Sequence, residues 1–238
     1  LGEYAEAEAS AAAARAGFSL NGSQYGSGFD DMSTDETMWA MAQTTDQSNY
    51  YYVAPHSFAD HENGAYQGTF INNDFVQLFS DTDVRNTFYH YYSTNTAAWF
   101  AWVTSKFTFA FDSDMIMMRV AEMMLIEAEA KARQGNDAAA ATLLFTLQSE
   151  RDPSAVASGN TGASLIEEVM IERRKEMYCE LGVEWFDAKR TRSGITRTGN
   201  HRVFLDLDPD DKRFILCIPQ SEIDANEFID DSINSDRL

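Results

Sequence analysis

The chain has 238 residues and a formal net charge of −20, enough length to bury a substantial core as one domain or two small ones. The charge argues against nucleic acid, whose phosphates call for a basic patch, and against docking on anionic lipid headgroups. No run approaches the ~20 apolar residues of a membrane-spanning helix.

The opening LGEYAEAEAS reads as the inside of a helix, which implies a longer parent chain. Tyr4 to Ala16 is alanine-rich, and Gly17 ends it. A Gly/Ser loop follows, then a short strand over Thr37–Thr44. Residues 47–111 form a long irregular region with a short helix near Asn73–Phe79. Residues 50–111 hold 18 of the chain's 30 Phe, Trp and Tyr residues. Disordered segments are poor in aromatics, so this region reads as ordered and functional. Its rings either pack the loops onto the helices or stand exposed.

From Met115 the period becomes helical, with Met117, Val120, Ala121, Met124, Leu125, Ala128 and Ala132 on one face. Glu127–Lys131 and Glu129–Arg133 pair on the other side. Asp114 is the expected N-cap and Gly135 the stop. A second helix from Asp137 to about Glu150 carries Ala140, Leu143, Leu144 and Leu147. So short a link makes the two an antiparallel hairpin of the kind tetratricopeptide repeats stack. The methionine-rich stripe reads as core.

After a linker at 152–163, Ser164 and Glu167 form a capping box, and Gly182 is the stop. Arg173 falls on the apolar face of this third helix. A buried Arg needs a carboxylate, because an unpaired buried charge costs several kcal/mol. Candidate partners are Asp187, beyond the glycine stop, and Glu176 and Glu180 on the same helix; the reading is an ion pair with Asp187 that locks the helix to residues 185–190. The alternative is that the guanidinium reaches the edge of the face. Val203–Leu205 and Phe214–Cys217 read as a β-hairpin around the acidic turn Asp206–Asp211.

The fold class is therefore mainly α, with tetratricopeptide-like hairpins, long irregular loops and a small β-hairpin. The chain reads as a single domain: a loop-rich part at 47–111, helices over 115–190, and a hairpin with its tail over 201–238.

No catalytic constellation stands out. With 38 acidic residues, close carboxylate pairs are inevitable and mark nothing. His56, Asp60 and His61 lack the spacing of a helical zinc motif. Asp206, Asp208 and Asp210 open like a calcium loop, but Asp211 stands where Gly is needed and Cys217 where Glu is needed. The two cysteines, Cys179 in the third helix and Cys217 in a strand, form neither a disulfide framework nor a zinc site. No P-loop, GxSxG or dinucleotide fingerprint occurs. The chain thus reads as no enzyme, with no metal and no cofactor. Exposed rings stack on sugar faces while amides bond hydroxyls, and such a site needs no catalytic group. Trp99, Trp102, Tyr50, Tyr51, Tyr91 and Tyr92 suit this, with Gln47, Asn49 and Asn95 nearby.

Four stretches carry a family resemblance. They are Arg119-Val120-Ala121-Glu122 leading into Leu125 through Ala130; Glu172-Arg173-Arg174-Lys175-Glu176; Gly182 through Arg190 with Trp185, Asp187 and Lys189; and Ile218-Pro219-Gln220 followed by Glu222, Ile223 and Asn226. In this order and spacing the chain resembles the C-terminal portion of the SusD/RagB family of nutrient-binding outer-membrane lipoproteins. Glu184 stands where the family usually has Arg, and Cys217 replaces a Pro. The resemblance implies non-enzymatic capture of glycans, or of peptides, at the bacterial cell surface. It also implies delivery to a SusC-like TonB-dependent outer-membrane transporter. Membrane attachment would come only through a lipid anchor outside this chain. The competing reading is a helical-repeat module that presents a groove to a protein partner.

Overall fold

The computed structural model describes residues 2–46, 69–107 and 112–235. In chain order its elements are helix α1 (Tyr4–Ala14), the single turn α2 (Gln24–Ser27), strand β1 (Thr37–Met41) and the short helix α3 (Asn73–Val76). Strands β2 (Phe88–His90), β3 (Trp102–Thr104) and β4 (Met115–Arg119) follow. The helices α4 (Val120–Arg133), α5 (Asp137–Arg151), α6 (Gly162–Met177), α7 (Val183–Thr191) and α8 (Gln220–Ala225) complete the fold.

Helix α4 is the hub, packed against α1, α5 and α6. Its face of Val120, Ala121, Met124, Leu125, Ala128 and Ala132 meets Ala140, Leu144 and Leu147 of α5 and Leu165 and Val169 of α6. The alanines let the helices approach closely. Each fully buried Leu contributes roughly 1.5–3 kcal/mol. Gly135 takes a φ of +78°, which lets the chain reverse between α4 and α5. On the side covered by α1, Lys131 and Arg133 pair with the buried Glu127 and Glu129 at 3.3 and 2.7 Å. The fold is mainly helical, with a tetratricopeptide-like hairpin at its centre.

Two small antiparallel sheets flank the helices. β1 pairs with β4, Thr37 opposite Arg119 and Met41 opposite Met115. β2 pairs with β3, Phe88 opposite Thr104 and His90 opposite Trp102. The apolar run at Met115 is thus a strand, and the helix begins only at Val120. Asp114 does not cap it; its carboxylate accepts from the backbone N–H groups of Met32 and Gln43. A strand partner more than 70 residues upstream outweighs the local helical period.

Three further expectations are corrected. The Ser164–Glu167 capping box is not made, because α6 already starts at Gly162, whose N–H donates to the Asp137 carboxylate at 2.9 Å. A contact across the fold replaces the local cap. Helix α6 stops at Met177 rather than continuing to Leu181, so Gly182 opens α7 instead of closing α6. Cys179 and Leu181 take positive φ, turning the chain so that Tyr178 enters a cluster with Phe75, Phe79 and Phe88. Cys179 therefore lies in this turn, half-buried and free. Finally, Val203–Leu205 and Phe214–Cys217 are not strands. The pairing present there is one isolated bridge, Ile195 to Leu207. Phe214 belongs to a 3₁₀ turn, where it packs on Trp185 at 4.8 Å and is buried.

Candidate ligand-binding face

Residues 85–106 carry four of the six rings singled out above, and both ends of this segment are anchored in a buried charge network. Arg85 is fully buried; it donates to both oxygens of Asp83, to Glu172 at 2.5 Å and to Glu176 at 2.9 Å. Lys106 is equally buried. Its Nζ donates to the carbonyls of Glu176 and Tyr178 at 3.0 and 2.9 Å and to Glu180 at 2.5 Å, 4.2 Å from the Tyr178 ring centroid. Arg119 and Arg151 complete the network on Glu36, Glu176 and Glu180, and Lys175 reaches Asp83 at 3.1 Å.

Five carboxylates (Glu36, Asp83, Glu172, Glu176, Glu180) thus face five cations (Arg85, Lys106, Arg119, Arg151, Lys175). Burial pushes the Glu176 carboxyl up, but Arg151, Arg119 and Arg85 outweigh it and hold the group well below its usual range. Burial lowers the Lys106 ammonium, and Glu180 opposes that shift. Sequence reading missed this network. The one local signal was the placement of Glu172 and Glu176 at helical spacing from Leu165 and Val169 on the buried face of α6.

On this base the loop after β2 presents a shelf of rings. Tyr91, Tyr92 and Trp99 are 53%, 41% and 38% exposed. They join edge to face: Tyr91 to Tyr92 at 4.7 Å, Tyr92 to Phe70 at 5.7 Å, and Phe70 to Trp99 at 5.2 Å between centroids. Trp102 differs. It is half-buried in strand β3, stacked on His90 at 3.9 Å, and its buried indole N–H has no partner among the described residues. The expected residues Tyr50 and Tyr51 lie outside the described residues, as do Gln47, Asn49, His56, Asp60 and His61. Asn95 uses its carbonyl oxygen to hold the loop, accepting from the Ala97 N–H.

A second segment fastens the shelf. Asn200 is buried and donates to the carbonyls of Ala98 and Thr96. It also exchanges two hydrogen bonds with Asn73 at 2.9 and 3.0 Å. Gly199 makes the approach possible: its φ is +70°, and a Cβ there would lie 2.2 Å from the Asn73 Oδ1. Arg202 then places its guanidinium 4.9 Å from the Trp99 ring centroid. Residues 195–201 run into a cleft of about 510 Å³, lined by Arg174, Glu184, Trp185, Arg197 and His201 among others.

Arg173 sits elsewhere. Its Nε donates to Asp187 at 2.7 Å and its Nη2 to Glu122 at 3.0 Å, with the side chain 8% exposed. Asp187 also accepts from Arg190. Glu184 stays clear of this cluster and pairs with Arg174 at 2.5 Å. The groove beside it, about 710 Å³, is lined by Tyr4, Met118, Met177, Leu181 and Phe186. Among the described residues no group of three or more His, Cys, Asp or Glu is placed to hold a metal ion, and no helix is long and apolar enough to cross a membrane.

Comparison with known proteins agrees with this architecture. The model of the SusD family matches residues 21–231. A SusD-like carbohydrate binding protein from Bacteroides vulgatus is 26% identical, with a TM-score of 0.80 over 95% of this chain and 55% of its own. A SusD superfamily protein from Bacteroides thetaiotaomicron superposes with a TM-score of 0.81 at 23% identity, over 96% of this chain and 56% of its own. The surface glycan-binding protein A of Bacteroides uniformis shares the fold at 19% identity and a TM-score of 0.63, over 94% of this chain and 55% of its own. The chain spans about half the length of these solved relatives. Among curated proteins no match is found.

Proposed function

The chain belongs to the SusD family, and from that premise we propose that it captures glycans at the bacterial cell surface without altering them chemically. It then passes them to a SusC-like TonB-dependent transporter of the outer membrane, to which a lipid anchor outside this chain holds it close. The supporting observation is the shelf: Tyr91, Tyr92 and Trp99 form one exposed, edge-to-face cluster on a loop fixed at both ends. Rings held rigidly lose little entropy when a sugar stacks on them. That Bacteroides vulgatus relative, described as carbohydrate binding, points the same way.

Affinity electrophoresis through polysaccharide-loaded gels tests this. Stacking is worth about 1 kcal/mol or more per ring. Trp99→Ala and Tyr92→Ala therefore each lower affinity about fivefold or more, and together they abolish retardation. Full retardation of a folded double variant removes the shelf from the site. A second reading, capture of a peptide or docking of a protein partner, rests on the apolar groove, whose rim carries Phe186 at 62% exposure. It predicts that Phe186→Ala, rather than Trp99→Ala, weakens ligand capture.

A further inference from the structure

The cleft next to the shelf runs against the charge of the chain. Residues 188–205 hold five Lys and Arg and no Asp or Glu, in a protein with 38 acidic residues. Arg197 and His201 of this stretch line the cleft together with Arg174 of α6, and Arg202, the residue after His201, lies over the Trp99 ring. Two carboxylates also line the cleft, and both are paired: Glu184 neutralises Arg174, and Asp187 is held by Arg173 and Arg190. Arg197 differs: its Nη1 is buried and has no hydrogen-bond partner among the described residues. A buried donor left unpaired is rare and marks a place where something else supplies the acceptor. His201 feels the same field. Burial, then Arg197 and Arg174, push its imidazole below the usual value, against the opposing pull of Asp74 and Glu184.

We propose that this cleft is a subsite for the acid group of an anionic glycan, a uronate carboxylate or a sulfate ester. Arg197 donates the principal hydrogen bonds, and His201 and Arg202 flank the group. The sugar ring carrying that acid, or its neighbour, stacks on Trp99. This inference rests on the glycan-capture reading above and specifies its substrate class. The geometry fits because Ile195–Arg202 is a single segment: one end lines the cleft, and Asn200 and Arg202 touch the shelf. A guanidinium matches a carboxylate or sulfate with two parallel N–H donors, which a lysine cannot do.

The test runs the full 238-residue chain on matched pairs: polygalacturonate against its methyl ester, and dextran sulfate against dextran, with alginate and chondroitin sulfate as further acidic probes. Retardation by at least one acidic polymer and not by its neutral counterpart is expected, weakening as salt is raised. The pair that discriminates identifies carboxylate or sulfate. Arg197→Ala and Arg197→Lys, both checked for folding, lose about tenfold or more on that polymer. The His201 imidazole, followed by NMR titration, moves to higher pKa when the acidic polymer binds, because an anion now offsets Arg197 and Arg174. Equal binding of acidic and neutral partners, or undiminished binding by folded Arg197→Ala, overturns the subsite. A chain that binds neutral glycans alone, with loss in Trp99→Ala, refutes the subsite and leaves glycan capture standing. No retardation on either set overturns both.

Discussion

Replacing Glu176 by Gln tests whether the buried charges hold the fold. Glu176 is fully buried. Its Oε1 accepts from Arg119 at 2.5 Å and from Arg151 at 2.9 Å, and its Oε2 accepts from Arg85 at 2.9 Å. Gln keeps the shape and one acceptor oxygen but removes the charge. Five carboxylates against five cations become four against five, leaving one net positive charge in the interior. Breaking a buried pair in this way costs about 3–5 kcal/mol, a large part of a total stability of roughly 5–15 kcal/mol. With a urea slope of about 3 kcal/mol per molar the unfolding midpoint falls by about 1–2 M. Arg192→Gln is the control. It breaks a pair with Asp210 in which both side chains are about 70% exposed and screened by water, so its unfolding midpoint stays close to that of the parent chain.

The same group sets an acid limit. Glu176 is held well below its ordinary value of 4.5 in the folded chain. As pH falls through 4.5 the unfolded state takes up a proton that the folded state refuses, so stability is lost toward acid. Glu176→Gln lacks this group and shows a flatter fall in stability below pH 4.5. A Glu176→Gln midpoint within error of the Arg192→Gln midpoint would refute the network as a stabilising unit.

Gly199→Ala forces a Cβ to within 2.2 Å of Asn73 Oδ1 at a φ of +70°. The loop shifts, the Asn200–Asn73 bonds break, and stability drops by about 1–3 kcal/mol with loss of glycan retardation; chemical denaturation and affinity gels read both. Arg173→Leu leaves Asp187 with Arg190 as its remaining partner and costs about 1–3 kcal/mol in urea unfolding, while glycan preference stays unchanged. Lys106→Met strands Glu180 with Arg119 alone and frees one end of the shelf segment. Limited proteolysis then cuts between residues 85 and 106 faster than in the parent chain.

What the sequence made legible was local. The α4–α5 hairpin follows from a 3.6-residue period and Gly135, and the aromatic density of residues 50–111 pointed to a ring-rich loop region. Charge pairs one helical turn apart, such as Glu129 with Arg133, were readable because both partners share one helix. The network was not readable, because its partners are distant in sequence. Arg119 meets Glu176 across 57 residues and Arg85 meets it across 91. Neither Arg85 nor Lys106 sits in a periodic segment that would mark it as buried. The same reason explains β4, whose strand state depends on Thr37–Met41. It also explains the absent strands near Val203 and Phe214: short apolar runs suggest strands, but without a partner ladder they remain loop and 3₁₀ turn.

The residues that identify the family and the exposed rings proposed as the ligand face are separate, yet they are mechanically joined. Glu172, Glu176 and Glu180 belong to or adjoin the stretch that carries the resemblance, and all three are buried. Tyr91, Tyr92 and Trp99 belong to no such stretch. The joint is the pair of cations that bracket the shelf segment, Arg85 at one end on Glu172 and Glu176, Lys106 at the other on Glu180. Buried ion pairs gain little net stability over apolar packing, but they tolerate few alternative geometries, since any shift leaves a charge unpaired. A loop held at both ends by such pairs keeps its register when side chains between Tyr91 and Trp99 are replaced, because the network contacts none of them. Substitutions on the proposed ligand face therefore change binding without changing stability, whereas substitutions at Arg85 or Lys106 change both.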